Sequence, residues 1–176
     1  VVFRGSTTGT GQRALVFACK SKYLDAKCTS NNRRRVVDPV SLKELYKHAV
    51  QSSKANFMSM NAQQAEYKMT LCVNGHSAPD RMFRLFNGTQ MVLMLRCNRF
   101  DLGQEVWFSH MLQPWLHYVP IRHDCEGIDH CVQWLLQNDR VQSRMLKACG
   151  ELPIGRDAIR EWWQWARFQK VNARRK

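Results

Sequence analysis

The chain has 176 residues, 44% hydrophobic and 23% charged, with six Trp and eight Phe, which suits one domain with a substantial core and excludes a disordered chain. Its longest apolar runs fall well short of the ~20 residues of a membrane-spanning helix, and it carries no charged-then-apolar secretion signal. A net charge of +13 favours an anionic partner: nucleic acid, an acidic membrane or a phosphorylated small molecule.

The opening run, Val1 to Arg13, organises the rest of the chain. Val1-Val2-Phe3 reads as a strand, already under way at the first residue, which suggests a fragment. Arg4-Gly5-Ser6-Thr7-Thr8-Gly9-Thr10 reads as a small-residue loop, and Ala14 to Cys19 as the start of a helix. Strand, glycine-rich turn and helix start in that order make a phosphate cradle, because the turn's N–H groups and the helix dipole face an anion. Arg4 adds a planar cation able to grip phosphate through two parallel hydrogen bonds. An ordinary strand-to-helix loop is the competing reading of the same residues.

Tyr23 to Cys28 suggests a second strand, and the basic, Asn-rich piece from Ser30 to Pro39 a loop. Ser41 with Glu44 forms a capping box that opens a helix from Leu42 to about Ser52. Ser53 to Gln64 reads as an irregular connection. Tyr67 to Val73 is a strand, and Gly75 to Asp80 a loop into a helix, Arg81 to Phe86, stopped by Asn87-Gly88. Gln90 to Leu95 has the continuous apolar character of a strand buried in a parallel sheet. Glu105 to Leu112 reads as helical, Trp115 to Pro120 as a strand, and Ile128–Gln137, Arg140–Cys149 and Asp157–Lys170 as helices.

The seven cysteines contain no CxxC pair, so a zinc-ribbon reading fails for want of ligand spacing. Cys125 and Cys131 are close enough in sequence to bridge in an oxidising compartment, whereas most of the others sit in apolar runs and read as small core residues. The dense basic clusters, Arg33-Arg34-Arg35 and Arg174-Arg175-Lys176, read as solvated. Strands alternating with helices imply βαβ units and a parallel sheet. Ligands of such sheets bind at the carboxyl ends of the strands. That selects the loops Arg4–Thr10 and Gly75–Arg81, whose two arginines suit a diphosphate.

These residues also carry a resemblance. Phe3-Arg4-Gly5-Ser6-Thr7-Thr8-Gly9 with Arg13 resembles the opening of the donor half of the capsule-associated and protein O-glucosyltransferase family (Rumi-like, CAP-ten domain). Leu24-Asp25-Ala26, Tyr67-Lys68 through Asn74-Gly75 to Arg81, and Gly88 to Leu93 are similar to later family segments in the same order. Leu112-Gln113-Pro114-Trp115-Leu116-His117-Tyr118-Val119-Pro120 resembles its most specific signature, and Leu135 to Asp139 its final helix start.

The resemblance implies an α/β fold with a Rossmann-like parallel sheet and flanking helices, the C-terminal half of a GT-B-type inverting glycosyltransferase. The domain would occupy residues 1–170, with 171–176 a basic tail. It implies transfer of glucose or xylose from UDP-glucose or UDP-xylose to a hydroxyl of a protein or glycan acceptor, without a required metal or other cofactor. Arg4, Gly5, Ser6, Thr7 and Arg81 would hold the donor diphosphate, and the general base would lie in the N-terminal half of the same protein. The family points to the lumen of the endoplasmic reticulum or Golgi. The chain departs from the family where a Ser usually precedes the second arginine, since Pro79 stands there, and Asp80 weakens the field of Arg81. His76 reads as a loop residue and His117 as a packing or hydrogen-bonding one. Two alternatives stay open: a catalytically dead interaction domain of the same fold, and a basic nucleic-acid-binding module, which would need exposed aromatics interleaved with the charge.

Overall fold

A computed structural model describes residues 1–6, 12–30, 54–73, 81–95 and 108–154. Among the described residues, five strands run parallel in one sheet: β1 (Val2–Ser6), β2 (Asp25–Ser30), β3 (Met69–Cys72), β4 (Met91–Leu95) and β5 (Val119–Ile121). Their order is β2-β1-β3-β4-β5. The helices are α1 (Gln12–Ala18), α2 (Met60–Glu66), α3 (Arg81–Phe86), α4 (Ile128–Leu136) and α5 (Asp139–Gly150). The expected α/β architecture with a parallel sheet and flanking helices is therefore present.

The period of two along the strands assigns the two faces of the sheet. Phe3, Met69, Leu71, Met91, Leu93, Leu95, Val119 and Ile121 face one way and pack with Val16 of α1, Val132 and Leu135 of α4 and Met145 of α5. Cys72 and Val92 face the other way, against Met82, Phe83, Leu85 and Phe86 of α3, with Phe108, Cys149 and Ile154. Each fully buried large apolar side chain contributes on the order of 1.5–3 kcal/mol of transfer free energy. Both faces of the central strands are dry, which explains their unbroken apolar runs.

Several expectations need correction. Arg4, Gly5 and Ser6 belong to β1 rather than to the loop after it. In the stretch from Ser53 to Gln64, expected to be irregular, the described residues hold a 3-10 turn, Lys54–Asn56, and the greater part of α2. Ser59 caps α2, its Oγ accepting the Ala62 N–H at 3.2 Å, and Ala, Gln and Glu propagate the helix by propensity without an apolar stripe. The run from Trp115 to Pro120 yields only two strand residues, Val119 and Pro120, at the start of β5 (Val119–Ile121). Pro114 has no N–H to offer a ladder, and the chain turns instead: Trp115, at φ 64, donates its N–H to the Tyr118 carbonyl at 2.7 Å, and His117 donates to the Gln113 carbonyl at 2.9 Å. Of the expected helix from Glu105 to Leu112, the described part contains a 3-10 turn, Ser109–Met111. The expected helices Leu42 to Ser52 and Asp157–Lys170, the loop that ends at Pro39 and the basic tail lie outside the described residues.

Candidate functional site

Parallel pairing sets the site's first relationship. Val2 stands in register with Asp25 and Arg4 with Lys27, so alternation carries Arg4 and Asp25 to the same face of neighbouring strands. Arg4 is 9% exposed. Its Nη2 donates to Asp25 Oδ2 at 2.6 Å, while its Nη1 donates to the backbone carbonyls of Asp25 at 2.8 Å and Phe3 at 3.1 Å. The Tyr67 hydroxyl donates to the same carboxylate oxygen, and Lys27 Nζ lies 3.8 Å from Oδ1. Burial pulls the Asp25 pKa upward, but the hydrogen bonds from Arg4 and Tyr67 and the charges of Arg4 and Lys27 outweigh it and hold the carboxyl below its ordinary range. The hydrogen bond to Asp25, with burial second, raises the Tyr67 phenol. Charge-assisted bonds of this kind fix geometry as well as energy. The unit clamps β1, β2 and the entry to β3 together.

Gly5 faces the opposite way, beside the Phe3 ring. A Cβ built there would come within 2.8 Å of the Phe3 Cζ, so the absence of a side chain makes room for a core aromatic. Between Gly5 and Ser6 the register against β2 shifts, Gly5 facing Cys28 and Ser6 facing Ser30, so that Thr29 is the extra residue of a bulge in β2. The Ser6 carbonyl then accepts Arg13 Nη1 at 3.0 Å. Arg13, 7% exposed, sits in the first turn of α1. That bond ties the strand end to the helix start.

Of the five residues expected at a donor diphosphate, Arg4, Gly5 and Ser6 share the last three positions of β1, and Arg81 is the first residue of α3. That helix comes after β3, which pairs with β1. Thr7 and the Arg81 side chain, like His76, Pro79 and Asp80, lie outside the described residues. Asp25, Tyr67 and Arg13 are the additional participants. All three sit in stretches with a sequence signal of their own, but the meeting of Asp25 with Arg4 and with Tyr67 spans sequence separations of 21 and 42, and no local pattern encodes it. His117 is 8% exposed, and its Nδ1 accepts the Gln113 N–H at 2.9 Å; burial lowers its pKa.

A cavity borders this unit, and a charged cluster lies at the opposite edge of the sheet. On the α2–α3 side, a cavity of about 500 Å³ is lined by Arg4, Thr29, Phe57, Ser59, Gln63 and Arg84, among others. At the carboxyl end of β5, exposed Arg122 pairs with Asp124 at 2.9 Å and Glu126 at 3.0 Å. The Arg122 hydrogen bond, with the Glu126 backbone N–H, lowers the Asp124 carboxyl to about 2. Among the described residues no helix is long and apolar enough to cross a membrane.

A five-stranded parallel sheet with flanking helices, its first strand braced by an arginine, makes a Rossmann-like α/β domain. The chain belongs to glycosyl transferase family 90, whose model matches residues 1–152. It is similar to the uncharacterized protein 027R of Frog virus 3, with 30% identity over 159 residues covering 78% of this chain and 16% of that protein. The uncharacterized protein 035R of Invertebrate iridescent virus 3 shares 29% identity, covering 78% of this chain and 13% of that one. Protein O-glucosyltransferase 1 of Homo sapiens is 24% identical over 188 residues, covering 99% of this chain and 43% of the human protein. The chain thus spans less than half the length of each of these relatives.

Proposed function

We propose that this chain is the donor-binding part of a GT-B-type inverting O-glycosyltransferase, which moves glucose or xylose from UDP-glucose or UDP-xylose to a hydroxyl of a protein or glycan acceptor. The observation that carries the reading is the pairing of the β1 end with the start of α1, braced by Arg4–Asp25 and Arg13–Ser6 and lying inside the family match. The similarity to protein O-glucosyltransferase 1 supports glucose as the sugar and a protein hydroxyl as the acceptor. In this proposal Ser6, Thr7 and Arg81 meet the diphosphate, and the backbone at Gly5 and Ser6 presents the loop to it. Arg4, with donors committed to Asp25 and to backbone carbonyls, holds the strand end and contributes its positive field. An inverting transfer builds negative charge on the departing UDP, and fixed cations and N–H donors stabilise it without a metal. The general base comes from the N-terminal half of the same protein, which works in the lumen of the secretory pathway. The charge of +13 serves the anionic donor rather than a nucleic acid.

Calorimetric titration with UDP at moderate salt, without divalent cations, tests the reading. The wild type is expected to bind in the micromolar range, and Arg81→Ala to lose about 1.5–3 kcal/mol for a charged hydrogen-bonding partner removed. A folded wild type that binds no UDP overturns it. Binding to polynucleotides that weakens steeply with salt, with no preference for UDP over other anions, favours the nucleic-acid reading instead.

A further inference from the structure

We propose that Cys19 and Cys125 form a dithiol that closes to a disulfide, a thiol-oxidation site stapling the end of α1 to the turn between β5 and α4. The fold delivers the two residues from distant parts of the chain. Cys19 comes directly after the last residue of α1, its N–H donating to the Val16 carbonyl at 3.3 Å. Cys125 sits in the turn after β5, its N–H on the Arg122 carbonyl at 2.9 Å and its own carbonyl accepting the Ile128 N–H at 3.2 Å. Each thiol lies near enough to the other to perturb its ionisation, and Cys19 packs against the core cluster that contains Cys125.

A second bond between the segments fixes this approach: the Ser21 hydroxyl donates to the Asp129 carboxylate, two residues past Cys19 and four past Cys125. Cys125 is held at φ 62, in the left-handed region that costs a non-glycine residue free energy and persists only where its surroundings impose it. The sequence offers Cys131 as a partner of Cys125; the Ser21–Asp129 bond between the two segments favours Cys19.

The pair also differs in access, as an ordered oxidation requires. Cys125 is 3% exposed, whereas Cys19 is half-buried, so an incoming oxidant meets Cys19 first. Burial, aided by the neighbouring carboxylates Asp129 and Asp124, pushes both thiols up, Cys125 to about 12, so both rest as protonated thiols. With glutathione disulfide as oxidant, the Cys19 thiolate attacks one sulfur and releases the first glutathione thiolate. The Cys125 thiolate then attacks the Cys19 sulfur of the mixed disulfide and releases the second. The protein loses two protons and two electrons, and the two glutathiones carry them away. Because Arg13 ties α1 to the end of β1, the staple would fix the helix behind the glycine-rich loop against the far edge of the sheet. The inference is independent of which sugar the parent protein transfers.

Incubating the folded 176-residue chain with glutathione disulfide, then alkylating and mapping peptides, tests it. The expected product lacks two hydrogens, contains a peptide linking Cys19 to Cys125, and melts several degrees higher than the reduced chain. Cys131→Ser is expected to form the same link. Cys19→Ser, altered at the half-buried partner and so expected to fold, should form no link from Cys125 and gain no melting temperature. A link from Cys125 to Cys131 or Cys97, stable glutathione left on Cys19, or both thiols still free in the oxidised folded protein would each overturn the proposal.

Discussion

The guanidinium of Arg4 and the carboxylate of Asp25 meet at 2.6 Å across two neighbouring parallel strands, with side chains 5% and 30% exposed. Removing one partner strands the other charge in a partly dry site, which costs about 3–5 kcal/mol for a buried pair. Arg4→Met is expected to lower the unfolding free energy by that order, read from urea denaturation at an unchanged m-value. Adding Asp25→Leu should recover a good part of the loss. A double variant no more stable than the sum of the singles would show that the two side chains are not coupled.

Acid should expose the same pair. Since Asp25 titrates below its ordinary value in the folded chain, the unfolded chain binds this proton more readily. Its stabilisation is therefore complete above the unfolded carboxylate value of ~3.9 and drains away as pH falls through the lower folded value. Asp25→Asn is expected to be less stable than wild type at neutral pH but to lose less on acidification. Denaturation curves at stepped pH compare the two slopes directly.

Gly5 tests the crowding at the strand end. Gly5→Ala forces the Phe3 ring, 2% exposed and 5.4 Å from the Phe17 ring, to move from a packed position. Overpacking of this sort costs about 1–3 kcal/mol. Phe3→Leu shortens the obstructing side chain, so the same glycine substitution should cost less in that background. Equal costs in the two backgrounds would mean that the ring is not the obstacle.

On the other face, Phe108 is fully buried between Phe83, at a ring distance of 4.7 Å, and Phe86, at 6.3 Å edge-on. Phe108→Ala should cost about 3–5 kcal/mol in chemical denaturation, enough to threaten a marginally stable domain. Trp134→Ala, at an exposed ring stacked edge-on against Trp115, should cost far less. Comparable losses at the two positions would contradict the assigned core.

Legibility in the sequence tracks the range of the forces involved. Strands such as Met91–Leu95 announce themselves through an unbroken apolar run, and Arg81–Phe86 through its Asn-Gly stop. The helix Met60–Glu66 escapes a periodicity reading because its stability comes from a serine cap and good propensity rather than from an apolar stripe. Trp115 to Tyr118 looks like strand because its residues are β-formers, yet Pro114 and a left-handed Trp115 turn the chain. At the site, Arg4 stands out in the sequence as a cation of consequence. Its partner does not, because an ion pair between strands depends on sheet order and register, and neither is written locally.

The strand order β2-β1-β3-β4-β5 also has a kinetic meaning. The strand β1 is an interior one, and its second neighbour, β3, ends only at Cys72. Until that residue leaves the ribosome, β1 has an open ladder edge bearing a buried-type arginine and a core phenylalanine. Parallel pairing over such separations is slow and leaves edges exposed meanwhile. During synthesis the nascent chain therefore holds this segment in waiting, and the β1–loop–α1 unit matures only after the middle of the sheet has been made.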